Sequence, residues 1–421
     1  MLSAGQLVGL TIEKPVAGGR MIARVDGQIV LVSGAIPSEH VTARVTSVAR
    51  GVVFAEAVEI LSSSPDRRDP ACDPGCGGNL YAHIAYPAQL SLKAAVLVDA
   101  LTRIGRLTWT TPIDVASSPV GGYRMRAKLH LRQGRLGFFR EDTHAVCDAR
   151  ATGQLLPASC DVIDHVAGAL GPALGSAEIE IAENLDASQR AVHIETLEAD
   201  LVARVMGRGD VVPGVTGLSV GSPDPNTPVR TLLGTPWVTD VLEVQGAQVG
   251  LRRHVRGFFQ GNRYLLTALV SHVCDLVPER ARVTDLYAGV GVFGLAVAAT
   301  RRASVVAVEG DRYAAADLDA NATLMGGVEV SHQSVESFLS RRRPAPDVVV
   351  VDPPRTGLSH EALGGVVTLA AAHLVYVSCD VATLARDTRR LVDAGYRIQS
   401  IRAFDLFPNT PHVETVVDLR R

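Results

Sequence analysis

The tract YVSCDVATLARD, residues 376–387, sets a thiol, Cys379, just past the short apolar run Leu374–Val377. That run reads as a buried strand, so the cysteine stands at its mouth. There it can pack, hold a metal or form a covalent bond, and the tract alone leaves all three open. Three further segments carry groups fit for chemistry. VTDLYAGVGVFGL (283–295) holds Gly289, Gly291 and Gly294 in a G-x-G-x-x-G pattern between a strand and a helix, a turn that lets backbone approach a nucleotide-like ligand. VVAVEG (305–310) ends a second strand on Glu309, an acid placed to grip ribose hydroxyls. VVVVDPPRTGLS (348–359) puts Asp352, two prolines and Arg355 at the end of a third. The stiff Asp-Pro-Pro presents a carboxylate toward a planar amide-like base or a charged cofactor end.

These groups need a scaffold, and the chain from residue 262 supplies one by alternation. Apolar periodicity and turn residues predict helix 262–277, strand 282–286, helix 291–300, strand 304–309, helix 312–324, strand 347–351, helix 359–371, strand 374–378 and helix 381–394. Two strands near 397–403 and 413–419 follow. Such alternation implies a mostly parallel, doubly wound sheet, whose carboxyl edge is where ligands gather. The acid after the second strand serves dinucleotide and S-adenosylmethionine enzymes alike, whereas Asp-Pro-Pro at the next strand end suits methyltransferases acting on bases.

Upstream, residues 1–62 read as short strands broken by Gly and Pro, with Asp26-Gly27 as a hairpin signal, and imply a small β-barrel. SSSPDRRDP (62–70) is a polar linker into CDPGCGGN. A helix over 86–105 follows, with Leu90, Ala94, Leu97, Leu101 and Ile104 on one stripe and Gly105 as its stop. In YRMRAKLHLRQGRLGFFR (123–140), Arg124, Arg126, Lys128, His130 and Arg132 alternate with apolar residues, so one strand face carries a basic row roughly 27 Å long. With no acid before Glu141, that row is expected to contact a polyanion. Residues 150–250 look β-rich.

The chain has 421 residues and a net charge of −3, so overall charge points to no nucleic acid and any such surface must be local. Only Lys14, Lys93 and Lys128 among its 41 basic residues are lysines, and arginine suits phosphate contacts and stacking. No apolar run approaches the ~20 residues that cross a bilayer, and the amino terminus lacks a basic-then-apolar leader, so a cytoplasmic monomer is expected. The six cysteines are sparse and irregular, which favours reduced thiols, metal ligands or a nucleophile over disulfides.

FFQGN (258–262), DLYAGVG (285–291), DPPRTG (352–357), YVSCDVATLARD (376–387) and DLFPNTPHVETVV (405–417), in this order, resemble the RNA uracil-C5 methyltransferase family. The amino-terminal 60 residues, ending SPDRRDPAC, are similar to the small RNA-binding barrel called the TRAM domain. The resemblance implies an α/β fold in which a doubly wound, Rossmann-like methyltransferase domain (251–421) follows a TRAM-like, OB-like barrel (1–62) and a β-rich central domain (63–250). Helix 86–105 would pack on the catalytic domain. The resemblance also implies S-adenosyl-L-methionine held by Gln260, Tyr287, Gly289, Glu309 and Asp352, with Val292 standing where members often have asparagine.

By the same resemblance Cys379 is the nucleophile that adds to C6 of uracil, and Glu414 is the base that removes the C5 proton. His412 would orient Glu414, and Arg386 would neutralise Asp387 or touch phosphate. Arg124, Arg126, Lys128 and Arg132 would meet RNA, ribosomal in preference to transfer RNA. Members often bind an iron-sulfur cluster through four cysteines. Here Cys72, Cys76 and Cys147 stand at three of those places and Asn79 at the fourth, so a four-iron cluster lacks a ligand unless one comes from elsewhere, and a three-iron cluster or a shell that has lost its metal is left. Rival readings are a methyltransferase acting on an exocyclic amine, an RNA-binding protein without activity, and an NAD-dependent enzyme.

Overall fold

A computed structural model describes residues 2–206, 212–224 and 227–421; residues 207–211 and 225–226, inside the stretch expected to be β-rich, lie outside the described residues. Strands β1 (Leu7–Pro15), β2 (Met21–Val25), β3 (Gln28–Ser33), β4 (His40–Ala49) and β5 (Val52–Ser62) close a barrel in the order β1-β2-β3-β5-β4. Asp26 and Gly27 both have positive φ, 47° and 76°, the two-residue turn whose twist matches its flanking strands. Alternate residues such as Leu10, Ile12, Val30, Val32, Val41, Ala43, Val53 and Ala55 fill the interior.

Helix α1 (Tyr86–Arg103) buries Gln89, Lys93, Val96, Leu97, Ala100 and Leu101, so that Leu97 and Leu101 of the expected stripe are buried while Leu90, Ala94 and Ile104 are not. Ile104 is 46% exposed. Polar partners share in setting the face. Lys93 Nζ ion-pairs with Asp405, both side chains fully buried, and donates to Phe407 O at 3.1 Å. Gln89 Nε2 donates to Asn409 Oδ1 at 2.9 Å, and Asn409 N donates back to Gln89 Oε1 at 2.9 Å. The apolar end of α1, Leu97 and Leu101, packs in one cluster with Leu384 and Tyr376 of the carboxyl-terminal sheet layer.

After β6 (Val115–Ala116) come β7 (Arg126–Arg132), β8 (Arg135–Phe139), β9 (Val146–Asp148), helix α2 (Pro157–Leu170), β10 (Ser176–Glu183), β11 (Arg190–Glu195), helix α3 (Ala199–Met206), β12 (Gly217–Gly221) and β13 (Arg230–Gly234). The seven strands from β7 to β13 form one sheet, ordered β13-β12-β11-β10-β7-β8-β9. The stretch expected to be β-rich does supply β10 to β13, and α2 and α3, which were not expected, cover one face of the sheet through Val162, Ile163, Val166 and Val202. A ribbon, β14 (Trp237–Val244) with β15 (Ala247–His254), then sends Leu242 and Leu251 into the carboxyl-terminal core.

That core surrounds α4 (Leu266–Leu276), β16 (Arg282–Leu286), α5 (Val292–Arg301), β17 (Ser304–Glu309), α6 (Arg312–Met325), β18 (Val328–His332), α7 (Val335–Leu339), β19 (Val348–Val351), α8 (His360–Leu369), β20 (His373–Ser378), α9 (Val381–Asp393), β21 (Arg397–Phe404) and β22 (Glu414–Arg420). The eight-stranded sheet runs β18-β17-β16-β19-β20-β22-β21-β6. Its first five strands are parallel, and β22 runs antiparallel to both its neighbours, β20 and β21, so that β21 points the same way as the first five. β18 and α7 were not expected. Each is five residues long, too short for a periodic signal, and β18 follows the paired glycines Gly326 and Gly327.

The cysteines overturn one expectation. Cys76 and Cys147, 71 residues apart, form a disulfide, leaving Cys72 free and half-buried. The spacing gave no sign of this pairing, because a bridge needs only that the fold bring two Cα atoms to about 6 Å. Two of the three thiols assigned to a cluster are therefore consumed. Among the described residues no group of three or more His, Cys, Asp or Glu side chains is placed to hold a metal. The residues present do not fit an iron-sulfur cluster.

Candidate active site

Parallel strands deliver their loops to one edge, and the strand order reverses between β16 and β19, which opens a crevice there. The loop after β16 fills one side. Gly289 and Gly291 have φ of 57° and 96°, and a Cβ on Gly291 would lie 2.7 Å from Leu295 and Leu318, so only glycine permits this turn. Tyr287, with a side chain, also sits at φ 60°, backbone strain of the kind held at ligand sites. Gly289 N donates to Glu309 Oε2 at 2.8 Å and Asp311 N to Glu309 Oε1 at 2.7 Å, so the acid that ends β17 pins the loop as well as facing the cavity. Beneath it Gly294 N donates to Asp285 Oδ2 at 2.9 Å, and burial raises Asp285 to about 8.

A cavity of about 600 Å³ joins this loop to the groups singled out downstream. Gln260, Tyr287, Gly289, Glu309, Asp352, Cys379 and Glu414 all line it, as do Val292, Arg124 and Arg126. Gln260 Nε2 donates to Asp352 Oδ2 at 3.0 Å. The end carrying Gly289, Glu309 and Asp311, with Phe259, Phe293 and Ala314 as apolar wall, has the donor and acceptor set a nucleoside needs, and so fits the adenosine part of S-adenosylmethionine.

The sheet brings Cys379 and Glu414 together. β20 and β22 pair antiparallel with Ser378 opposite Thr415, and one step further along that register Cys379 lies across from Glu414. Directly opposed residues have Cβ atoms about 5 Å apart. Asp380 caps α9, accepting from Ala382 N and Thr383 N at 3.1 and 2.8 Å, which sets Cys379 between a strand end and a helix start. Burial pushes the Cys379 thiol up to about 12, with Glu414 and Asp352 adding to the rise and the Arg355 guanidinium opposing it. Burial likewise lifts Asp352 to about 7 against the Gln260 hydrogen bond. Glu414 is raised well above the carboxylate range by burial and then by Asp352, and Arg355 again opposes. Arg355, given no role from sequence beyond its place at a strand end, is thus the cation serving both groups.

Other assignments change. Among the described residues Glu414 Oε1 is buried without a hydrogen-bond partner, and His412 does not orient it. The His412 ring meets Phe407 edge-on at 6.1 Å instead, and burial lowers it to about 4. Arg386 does neutralise Asp387, Nε to Oδ1 at 2.8 Å, and its Nη2 donates to Thr356 O and Leu358 O at 3.0 and 3.2 Å. It ties the DPPRTG loop to α9 and leaves phosphate to other groups. The basic row is not unrelieved: from β10, Glu180 pairs with Arg126 at 2.5 Å, and Glu178 faces Lys128, His130 and Arg132 at 3.9, 2.6 and 2.7 Å. Those acids lie some fifty residues on, where the local pattern could not show them. Arg124, outside β7, is the member that meets no carboxylate in the described residues.

Residues 226–421 match the family described as tRNA (Uracil-5-)-methyltransferase, and residues 3–58 match the TRAM domain. A protein of Pseudomonas putida named 23S rRNA (uracil(1939)-C(5))-methyltransferase RlmD is 32% identical, over 98% of this chain and 93% of its own. An uncharacterized RNA methyltransferase of Streptomyces coelicolor is 32% identical over 96% of this chain and 91% of its own. In fold, the chain is similar to a Pyrococcus abyssi tRNA (uracil-54, C5)-methyltransferase solved with S-adenosyl-L-homocysteine, at TM-score 0.76 and 24% identity over 97% of this chain and 99% of that one. The glycine turn, the acids that close the cavity and these matches have one common reading: the chain belongs to the RNA uracil-C5 methyltransferase family, enzymes that use S-adenosylmethionine.

Proposed function

We propose that the protein methylates C5 of a uridine in RNA through a covalent adduct between Cys379 and C6. The observation that carries the reading is the convergence of Cys379, Glu414, Asp352 and Gln260 on the cavity that also holds the glycine turn and Glu309. C5 of uracil is a poor nucleophile. The Cys379 thiolate adds to C6, the C5–C6 electron pair moves onto the C4 carbonyl, and C5 gains the density of an enolate. S-adenosylmethionine, when bound, would supply its methyl to C5 with cleavage of the sulfur–methyl bond and leave as S-adenosylhomocysteine, and the positive charge of its sulfonium would favour the ionised forms of the acids around it. Glu414 then takes the C5 proton, the double bond re-forms and the Cys379 thiolate leaves. Arg355 favours the ionised state of both groups, Asp352 with Gln260 holds the polar edge of the ring, and the base must leave its stack to reach them.

Ribosomal RNA is the substrate we favour, because the Pseudomonas putida relative at 32% identity carries an rRNA name over nearly the whole length. Work on that RNA would place the protein in the cytoplasm. RNA containing 5-fluorouridine tests the chemistry, since fluorine at C5 blocks the last step. The protein should form a denaturation-resistant adduct that Cys379→Ala cannot form. No adduct from the unaltered protein would sink the covalent route and return the exocyclic-amine reading. Mass-spectrometric mapping of 5-methyluridine in ribosomal and transfer RNA from a deletion strain decides the substrate.

A further inference from the structure

We propose that Arg124 binds a phosphodiester of the substrate RNA beside the target uridine, and that the cysteine-bearing segment 76–79 is the support that aims it. The inference rests on the RNA methyltransferase reading and adds a contact from outside the matched residues 226–421. Arg124 enters the cavity shared by Cys379 and Glu414 from the central part of the chain. Its backbone is held there: Arg124 N donates to Gln154 O at 2.9 Å, and Met125 N to Gly261 O, next to Gln260, at 2.8 Å. Its side chain is held too. Nη1 donates to Gln154 Oε1 at 2.5 Å, Nε to Arg126 O at 3.0 Å, and the guanidinium lies 5.1 Å above the Phe138 ring.

A guanidinium has five donors, so this arrangement fixes the fork and leaves donors for an incoming group. What it lacks is a counter-charge. Arg126 alongside has Glu180, whereas Arg124 has no carboxylate within ion-pair distance in the described residues, and its charged neighbours include Arg126 and Arg355. A cation drawn out of water without a partner is costly unless an anion arrives. The proposed reaction would bring two anions to this cavity, the cofactor carboxylate and the RNA backbone. The groups that would hold the cofactor, Gly289, Glu309 and Asp311, come from the end of β17 and the loops after β16 and β17, while Arg124 and Arg355 both bear on His412, beside Glu414. The RNA backbone is therefore the anion assigned to Arg124.

Gln154 sets the aim. Its Nε2 donates to Gly77 O at 3.1 Å and Asn79 Oδ1 at 3.3 Å, and Tyr123 OH donates to its Oε1 at 3.2 Å, so Oε1 must face Arg124. Asn79 is fully buried, Gly77 turns at φ 60°, and the Cys76–Cys147 bond closes the segment onto β9. Asn79, at the place of a missing metal ligand, thus has a hydrogen-bonding task of its own.

The probe is bulk RNA from a strain lacking this gene, with methyl transfer by the full-length protein followed at several salt concentrations. One phosphate contact contributes about 0.7–0.9 to the slope of log affinity against log salt. Arg124→Gln should lower kcat/KM roughly ten- to a hundredfold and flatten the slope by about that amount, with the Kd for S-adenosylmethionine unchanged. Gln154→Met, which keeps the charge and misaims it, should lower kcat/KM and keep the slope. Arg124→Lys should keep the slope as well, which covers the case in which the glutamine variant fails to fold. A slope unmoved in Arg124→Gln, or one flattened in folded Arg124→Lys, overturns the proposal, as does a loss that falls on cofactor affinity. If the unaltered protein transfers no methyl to this RNA, the function itself fails and the inference falls with it.

Discussion

Replacing Glu414 by glutamine should uncouple the two halves of the reaction. The side chain is fully buried, its Oε1 has no hydrogen-bond partner in the described residues, and the amide has the same shape, so packing is kept and the base alone is lost. A positioned general base contributes about 10²- to 10⁴-fold, or roughly 3–5 kcal/mol of barrier. The first half should be spared. Glu414 is one of the groups, after burial, that hold the Cys379 thiol high, so a neutral amide opposite it makes the thiolate no harder to form. Turnover should fall by two to four orders of magnitude while RNA–protein adduct builds up, seen as a retarded band on a denaturing gel and absent from Cys379→Ala/Glu414→Gln. Turnover at the parent rate, or slow turnover with no adduct at any time, would refute the pairing of roles read from the β20–β22 register.

Arg355→Gln removes the cation that opposes the rise of both Cys379 and Glu414, so the alkaline-going limb of kcat/KM should move to higher pH and the rate at neutral pH should drop about tenfold or more; an unshifted limb excludes this role. Asp285 goes from 3.8 to about 8 on folding, so the folded state holds a proton that the unfolded state releases, and stability is lost as pH rises through that window. Asp285→Asn should escape the loss, its melting temperature gaining on the parent by a few degrees between pH 4 and pH 8; parallel curves would refute this. The Cys76–Cys147 bond spans 71 residues and should contribute about 4 kcal/mol by chain entropy, so Cys147→Ser should unfold at lower urea; an unchanged midpoint would show the bond to be idle.

Much of the carboxyl-terminal half was legible because its signals are local. β16 and β17 fall on their expected residues, 282–286 and 304–309, since apolar runs bounded by turns and a helical period need no distant partner to be read. The ends of those strands named the cavity residues for the same reason: in a parallel sheet, chain direction alone decides which edge a loop reaches. The faces that were misread depend on partners far along the chain. The alternation of Arg126, Lys128 and Arg132 was plain, yet whether that face was free lay with Glu178 and Glu180 across the ladder. The buried face of α1 was set by Asp405 and Asn409, some three hundred residues on, together with Leu97 and Leu101.

Sequence by itself therefore determined the kinds of group present, their order, and the sheet edge to which each is delivered. Tertiary structure alone decided their pairing. Cys379 and Glu414 are set face to face by an antiparallel register between strands that 35 residues of chain separate, and a slip of one residue there would send every side chain of β22 to the other face. Cys76 meets Cys147, and Arg124 meets no carboxylate among the described residues, for the same physical reason: short-range forces act on whatever the fold brings near, whatever its distance along the chain.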